Sequence, residues 1–115
     1  MNVVLAGHNI ATDKEGYLLD YRDWTPQIAH ALAQQQAIIL NEAHWEIINA
    51  IRDFYSQYQR SPTTRVLLKY LAQQLGSQKS SSMYVMQLFG SGTPAKSIAK
   101  LAGYPNPLTV FRTPL

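Results

Sequence analysis

The chain has 115 residues, 46% hydrophobic and 15% charged, which suits one domain with a modest core and excludes a disordered polymer. It contains no cysteine, so disulfides, thiolate metal sites and any reaction needing a thiolate of its own are excluded. The net charge of +3 conceals a gradient: residues 1–53 hold seven acids and three basic residues, for −4, and residues 54–115 hold seven basic residues and no acid, for +7. Such a gradient suits an anionic partner for the second part, or two halves that neutralise each other in the fold. No apolar stretch approaches the roughly 20 residues needed to cross a bilayer, and the start MNVVLAGHNIATD has no basic leader. The expectation is a soluble, cytoplasmic protein with no membrane partner.

Val3 to Leu5 form a β-rich opening, broken at Gly7 and resumed from Asn9 to Ala11. Thr12-Asp13-Lys14-Glu15-Gly16 has turn composition and Tyr17-Leu18-Leu19 is apolar again, so a β-hairpin with a bulged turn is expected here. Thr25-Pro26 opens a first helix to about Gln36, with Ile28, Ala29, Leu32 and Ala33 facing inward and Trp24 as a lid over its start. Asn41 caps a longer core helix reaching Gln59. Its stripe runs through Trp45, Ile48, Ile51 or Arg52, Tyr55 and Tyr58, widened by Ile47 and Phe54. His44, at its start, has no second ligand or carboxylate–serine constellation in view and is expected to cap or to pack.

Ser61-Pro62 opens a third helix that runs to Leu75 and stops at Gly76, with Val66, Leu67, Tyr70 and Leu71 as its apolar side. A polar connector holding Lys79 follows, and then a short apolar helix in which Met83, Val85 or Met86, Leu88 and Phe89 are expected in the core. Thr93-Pro94 opens the last helix, with Ile98 and Leu101 on one face and Lys96 and Lys100 paired four apart on another. Gly103 is a left-handed stop, and Pro105 and Pro107 prevent the helix from restarting. Residues 104–115 then form an extended C-terminal arm of the single domain 1–115.

Two blocks of this chain carry a family resemblance. TPAKSIAKLAGYPNPL resembles the C-terminal signature GPAKxAxxIAGLPKP of the DsrC/TusE family, and HWEII…IRDFYSQYQRSP resembles its HWEVI…VRDFYxxYxxSP block. Asp13, Gly16, Tyr17 and Leu18 match the D-x-x-G-Y-L turn of the same family, and SMYVMQLFGSGTPAK resembles YLYxLFPxGPAK with Gly90 and Thr93 replacing proline and glycine. The resemblance implies a mainly α fold: a small helical bundle with an N-terminal β-hairpin and an extended C-terminal arm. It also implies sulfur relay, on one branch with dissimilatory sulfite reductase and on another toward 2-thiouridine in tRNA. The family's carrier cysteine falls at Val110 and the second cysteine of the DsrC branch at Ala99, so neither carrier thiol is present.

The resemblance therefore implies a relay-family protein that docks on a TusBCD-like sulfurtransferase complex or on sulfite reductase without carrying a persulfide. Lys96, Lys100, Tyr104, Pro105, Pro107 and Val110 are the implied partner-binding residues. The rival reading takes the basic half as a regulatory surface for tRNA or DNA. It uses Arg60, Arg65, Lys69 and Lys79, joined by Lys96 and Lys100, around a helix-turn-helix-like pair. No phosphate loop, H-E-x-x-H or G-x-S-x-G motif occurs, and His8, His30 and His44 lack zinc-ligand spacing, so no independent active site, metal or cofactor is expected.

Overall fold

In the computed structural model the chain begins with a two-stranded hairpin and continues through five α-helices. The structure describes residues 2–90 and 94–104. Strands β1 (Asn2–Leu5) and β2 (His8–Ala11) are antiparallel with Leu5 opposite His8, so only Ala6 and Gly7 form the loop. Both have positive φ, 52° and 81°, which is what a tight turn matching the right-handed twist of the strands demands. The hairpin thus closes earlier than the composition suggested. The expected turn at Thr12–Gly16 exists, but it closes a single bridge between Thr12 and Leu18. There the Asp13 carboxylate accepts from the N–H groups of Glu15 and Tyr17, and the turn delivers Tyr17 and Leu18 into the core.

Helix α1 (Pro26–Gln35) starts as its sequence dictates, with Thr25 Oγ1 accepting from the Ile28 N–H at 3.2 Å and Pro26 at the first helical position. It buries Ile28, Ala29, Leu32 and Ala33. Helix α2 (Glu42–Tyr58) opens on a capping box. Asn41 Oδ1 accepts from the N–H groups of Ala43 and His44, and His44 Nδ1 accepts from the Asn41 N–H at 3.2 Å. With Nδ1 accepting, the His44 proton sits on Nε2 and is donated to the Leu88 carbonyl at 2.7 Å. His44 is therefore a capping group that also ties α2 to the end of α4. The buried stripe of α2 is His44, Ile47, Ile48, Ala50, Ile51 and Phe54. It lies one position round from the expected line, leaving Trp45 and Tyr55 at its edge and Tyr58 53% exposed.

Helix α3 (Thr64–Leu75) begins after Ser61-Pro62. Ser61 and Pro62 are both buried in the corner that follows the left-handed Gln59, and Thr63 takes the N-cap position. The corner consumed the residues expected to start the helix. Leu67, Tyr70 and Leu71 face inward, whereas Val66 turns out to solvent. Helix α4 (Ser82–Phe89), capped by Ser81, buries Val85 and Phe89 but leaves Met83 72% exposed, so Met83 is not a core residue. Helix α5 (Pro94–Leu101) packs against α1, α2, α3 and α4 and buries Pro94, Ala95, Ile98, Ala99 and Leu101. Its alanines allow neighbouring backbones to approach, and each fully buried Ile or Leu contributes about 1.5–3 kcal/mol.

The capping box yields a test. Asn41→Ala should lower stability by about 1 kcal/mol. His44→Ala should cost more, about 2 kcal/mol, because it also leaves the half-buried Leu88 carbonyl without its side-chain donor. Urea denaturation followed by circular dichroism measures both; equal costs would show that the bond from α2 to α4 contributes nothing.

Candidate functional site

The C-terminal end of α5 is where buried polar groups concentrate. An α-helix leaves its last carbonyls without intrahelical partners, and here that end lies inside the molecule. Gly103, at φ +84°, turns the chain left-handed. The Tyr104 N–H then reaches the Ala99 carbonyl at 2.9 Å and the Gly103 N–H reaches that of Lys100 at 3.1 Å, the two bonds of a Schellman stop. Two carbonyls remain. Trp24 Nε1–H donates to the Leu101 carbonyl at 2.7 Å, and Arg52 Nη1–H donates to the Ala102 carbonyl at 2.8 Å.

The same side chains stack. The Arg52 guanidinium lies 3.9 Å from the centre of the Trp24 ring and 5.2 Å from that of Tyr104. Tyr104 stacks on Tyr55 with centroids 4.0 Å apart and planes 6° from parallel, and Tyr21 leans on both rings. Burial pushes the Tyr104 hydroxyl above its ordinary pKa, opposed in part by the Arg52 charge; burial likewise raises Tyr55, with Tyr21 adding to it. Tyr104, the last described residue, is thereby fixed by contacts from the segment before α1, from α2 and from α5.

The residues singled out from the sequence are dispersed by the fold. Tyr104 is 4% exposed and packs with the domain, while Pro105, Pro107 and Val110 lie outside the described residues. Ala99 is fully buried inside the bundle. Lys96 and Lys100 are half-buried on α5, and the Lys100 ammonium stands 5.1 Å from the centre of the Tyr17 ring. Arg60, Arg65 and Lys69 are exposed. Lys79 is not available in the same way: its ammonium meets both oxygens of Glu46 at 2.9 and 3.0 Å, and this bonding raises its pKa. Acidic and basic halves of the sequence therefore meet across α2 and the turn after α3.

Sequence reading missed Trp24 and Arg52 as the clamp of α5. Trp24 does stand at the start of α1, but its partner carbonyl lies 77 residues away, and that of Arg52 lies 50 residues away. The one usable signal was an arginine interrupting the apolar stripe of α2. Among the described residues no group of three or more His, Asp or Glu side chains is placed to hold a metal ion, and no helix is long and apolar enough to cross a membrane.

Gly103→Ala tests the clamp most directly. A Cβ there would stand 2.6 Å from Trp24 Cδ1 on a backbone that disfavours side chains, so the variant should lose about 3 kcal/mol or more. The buried tyrosines predict an alkaline limit. Tyr17 is raised from 10.0 to about 12, by burial first and then by the charges of Glu15 and Asp13. Its unfolded form loses the proton first, so stability should fall as pH rises from 10.0 toward about 12. Melting temperature against pH would check this, with Tyr17→Phe flattening the decline; an unchanged slope would remove Tyr17 from the cause.

A family model described as "DsrC like protein" matches residues 4–110. A sulfurtransferase TusE homolog of Haemophilus influenzae is 48% identical over 101 residues, spanning 88% of this chain and 92% of that protein. The sulfurtransferase TusE of Pectobacterium atrosepticum is 44% identical, spanning 89% and 93%. The solution structure of Allochromatium vinosum DsrC superposes with a TM-score of 0.82 at 42% identity, covering 92% of this chain and 94% of that one. The oxidised gamma-subunit of dissimilatory sulfite reductase from Archaeoglobus fulgidus, also DsrC, gives 0.78 at 30% identity, covering 93% and 96%. The hairpin and the five helices found among the described residues are thus those of a known fold, and the chain belongs to the DsrC-like family of sulfur-relay proteins.

Proposed function

We propose that this protein works in sulfur relay by docking, occupying the carrier's place on a sulfurtransferase complex or on sulfite reductase without itself carrying sulfur. The observation that carries the reading is the combination of a retained family fold with a chain free of cysteine. Persulfide transfer requires a carrier thiolate to attack the outer sulfur of a donor persulfide, forming the carrier persulfide as the donor's S–S bond breaks and the donor thiolate leaves. Valine at 110 and alanine at 99 offer hydrocarbon only, and methionine thioethers cannot form a transferable persulfide. Docking needs none of that chemistry. It needs a shaped domain and a defined exit for the C-terminal segment 104–115, and the clamp at Tyr104 supports such an exit.

The relatives support partners of two kinds, a TusE-type sulfurtransferase system and a dissimilatory sulfite reductase. On this proposal the protein acts in the cytoplasm beside such partners, and Lys96, Lys100, Tyr104, Pro105, Pro107 and Val110 bound the docking surface. The tRNA or DNA reading gains no support from the relatives, and it loses Lys79 to Glu46.

Incubation with a persulfide donor enzyme, followed by intact-mass measurement, gives the test. The native chain should gain no sulfur. Val110→Cys should gain one sulfur atom only when the donor is present, because the docking geometry is intact and the nucleophile restored. The native chain should also displace a cysteine-bearing relative from the same donor. Failure of that competition would overturn the docking reading.

A further inference from the structure

A cavity of about 280 Å³ lies beside α5, and it shares Lys96 and Lys100 with the proposed docking surface. Its wall is Glu15 and Tyr17 from the Asp13 turn, Gln36 from the end of α1, and Lys96, Ser97 and Lys100 from α5. The lining is dominated by donors. It offers two ammonium groups, a serine hydroxyl, a phenol and a side-chain amide, against the one carboxylate of Glu15, which is exposed.

Three features mark it as built for an acceptor. The Nε2 of Gln36, a residue that also borders the neighbouring cavity beside Ile38 and His44, is buried and has no hydrogen-bond partner among the described residues, so it calls for a water or another acceptor. Lys96 and Lys100 stand four apart on one helix, where like charges repel unless something anionic lies between them. Lys100 is also held in place rather than left to sweep through solvent. Its ammonium packs over the Tyr17 ring, and it lies so close to Gly16 that a Cβ there would be 3.6 Å from Nζ. The Tyr17 hydroxyl, raised to about 12, keeps its proton and remains a donor throughout the neutral range.

Donors converging from three elements on one small space suit a ligand with acceptors in every direction. We infer that this cavity binds a small tetrahedral oxyanion, of the sulfate, thiosulfate or phosphate type, between Lys96, Lys100 and the Gln36 amide. Glu15 sets the limit of the site: with one carboxylate against two ammonium groups, it favours a compact anion over a long polyanionic chain. The inference does not depend on sulfur carriage or on docking, and it stands or falls separately from them.

Nitrogen-edited NMR of the full chain, titrated with sodium sulfate and in parallel with sodium chloride at matched ionic strength, would decide it. Saturable shifts at Tyr17, Gln36 and residues 96–100 are expected with sulfate alone. Lys100→Gln should weaken binding by about tenfold, as loss of a charged hydrogen bond does. Gln36→Leu should weaken it less, and Lys69→Gln, on exposed α3 surface, should leave it unchanged. Should Lys100→Gln prove unstable, Lys96→Gln reads the same site. Shifts that match chloride, or sulfate affinity that survives both lysine substitutions, would overturn the inference. So would perturbation of the cavity by a single-stranded RNA oligonucleotide but not by free sulfate.

Discussion

The fold depends on how the buried end of α5 is satisfied. A helix that stops in water leaves its last carbonyls to solvent, but α5 stops among side chains, where an unpaired carbonyl costs about 1–3 kcal/mol. Four successive carbonyls, from Ala99 to Ala102, find donors: two are the backbone N–H groups of Gly103 and Tyr104, one is an indole and one a guanidinium. The solution couples distant parts of the sequence. Trp24 can reach Leu101 only if the segment before α1 lies across α5, and Arg52 can reach Ala102 only if α2 presents that face. Gly103 is the residue that permits both, since any side chain there would collide with Trp24. Gly103 of the Ala102-Gly103-Tyr104 run is, in this light, a packing requirement of this chain.

That requirement separates scaffold from chemistry. No sulfur atom takes part in the clamp, which is built from Trp24, Arg52, Gly103 and Tyr104. Ala99 makes the same point from the other direction. It sits on the buried face of α5, where a small side chain is needed for the helices to approach, so alanine satisfies the packing that a cysteine would satisfy there. The described fold therefore stands without any thiol.

How much of this was legible from the sequence follows from the range of each interaction. Thr25, Asn41 and Gly103 were readable because a cap acts within three or four residues of itself. The inward faces of α1 and α5 were readable because their period repeats. The hairpin loop was misplaced because Thr12–Gly16 has stronger turn composition than Ala6-Gly7, yet a two-residue loop fixes register better. Ser61-Pro62 has the look of a helix start but is spent in the corner between α2 and α3. Val66, Tyr58 and Met83 are apolar and exposed, which no periodicity can foresee where a stripe is wider than the face available to bury it. Trp24 and Arg52 were illegible as a pair because their carbonyl partners share no local pattern with them.

The charge gradient shows the same limit in electrostatic form. Seven basic residues after residue 53 look, in one dimension, like a single cationic surface. The six of them that lie among the described residues are placed separately in the fold. Lys79 is bound by Glu46 from the acidic half, and Lys100 is laid over Tyr17 beside the turn that carries Glu15. Arg60, Arg65 and Lys69 remain exposed near the α2–α3 corner and on α3, away from Lys96 and Lys100 on α5. A nucleic-acid groove would need these charges aligned along one track. Their division into a neutralised pair, a donor-lined cavity and a scattered exposed set favours small, local anions over a continuous phosphate backbone.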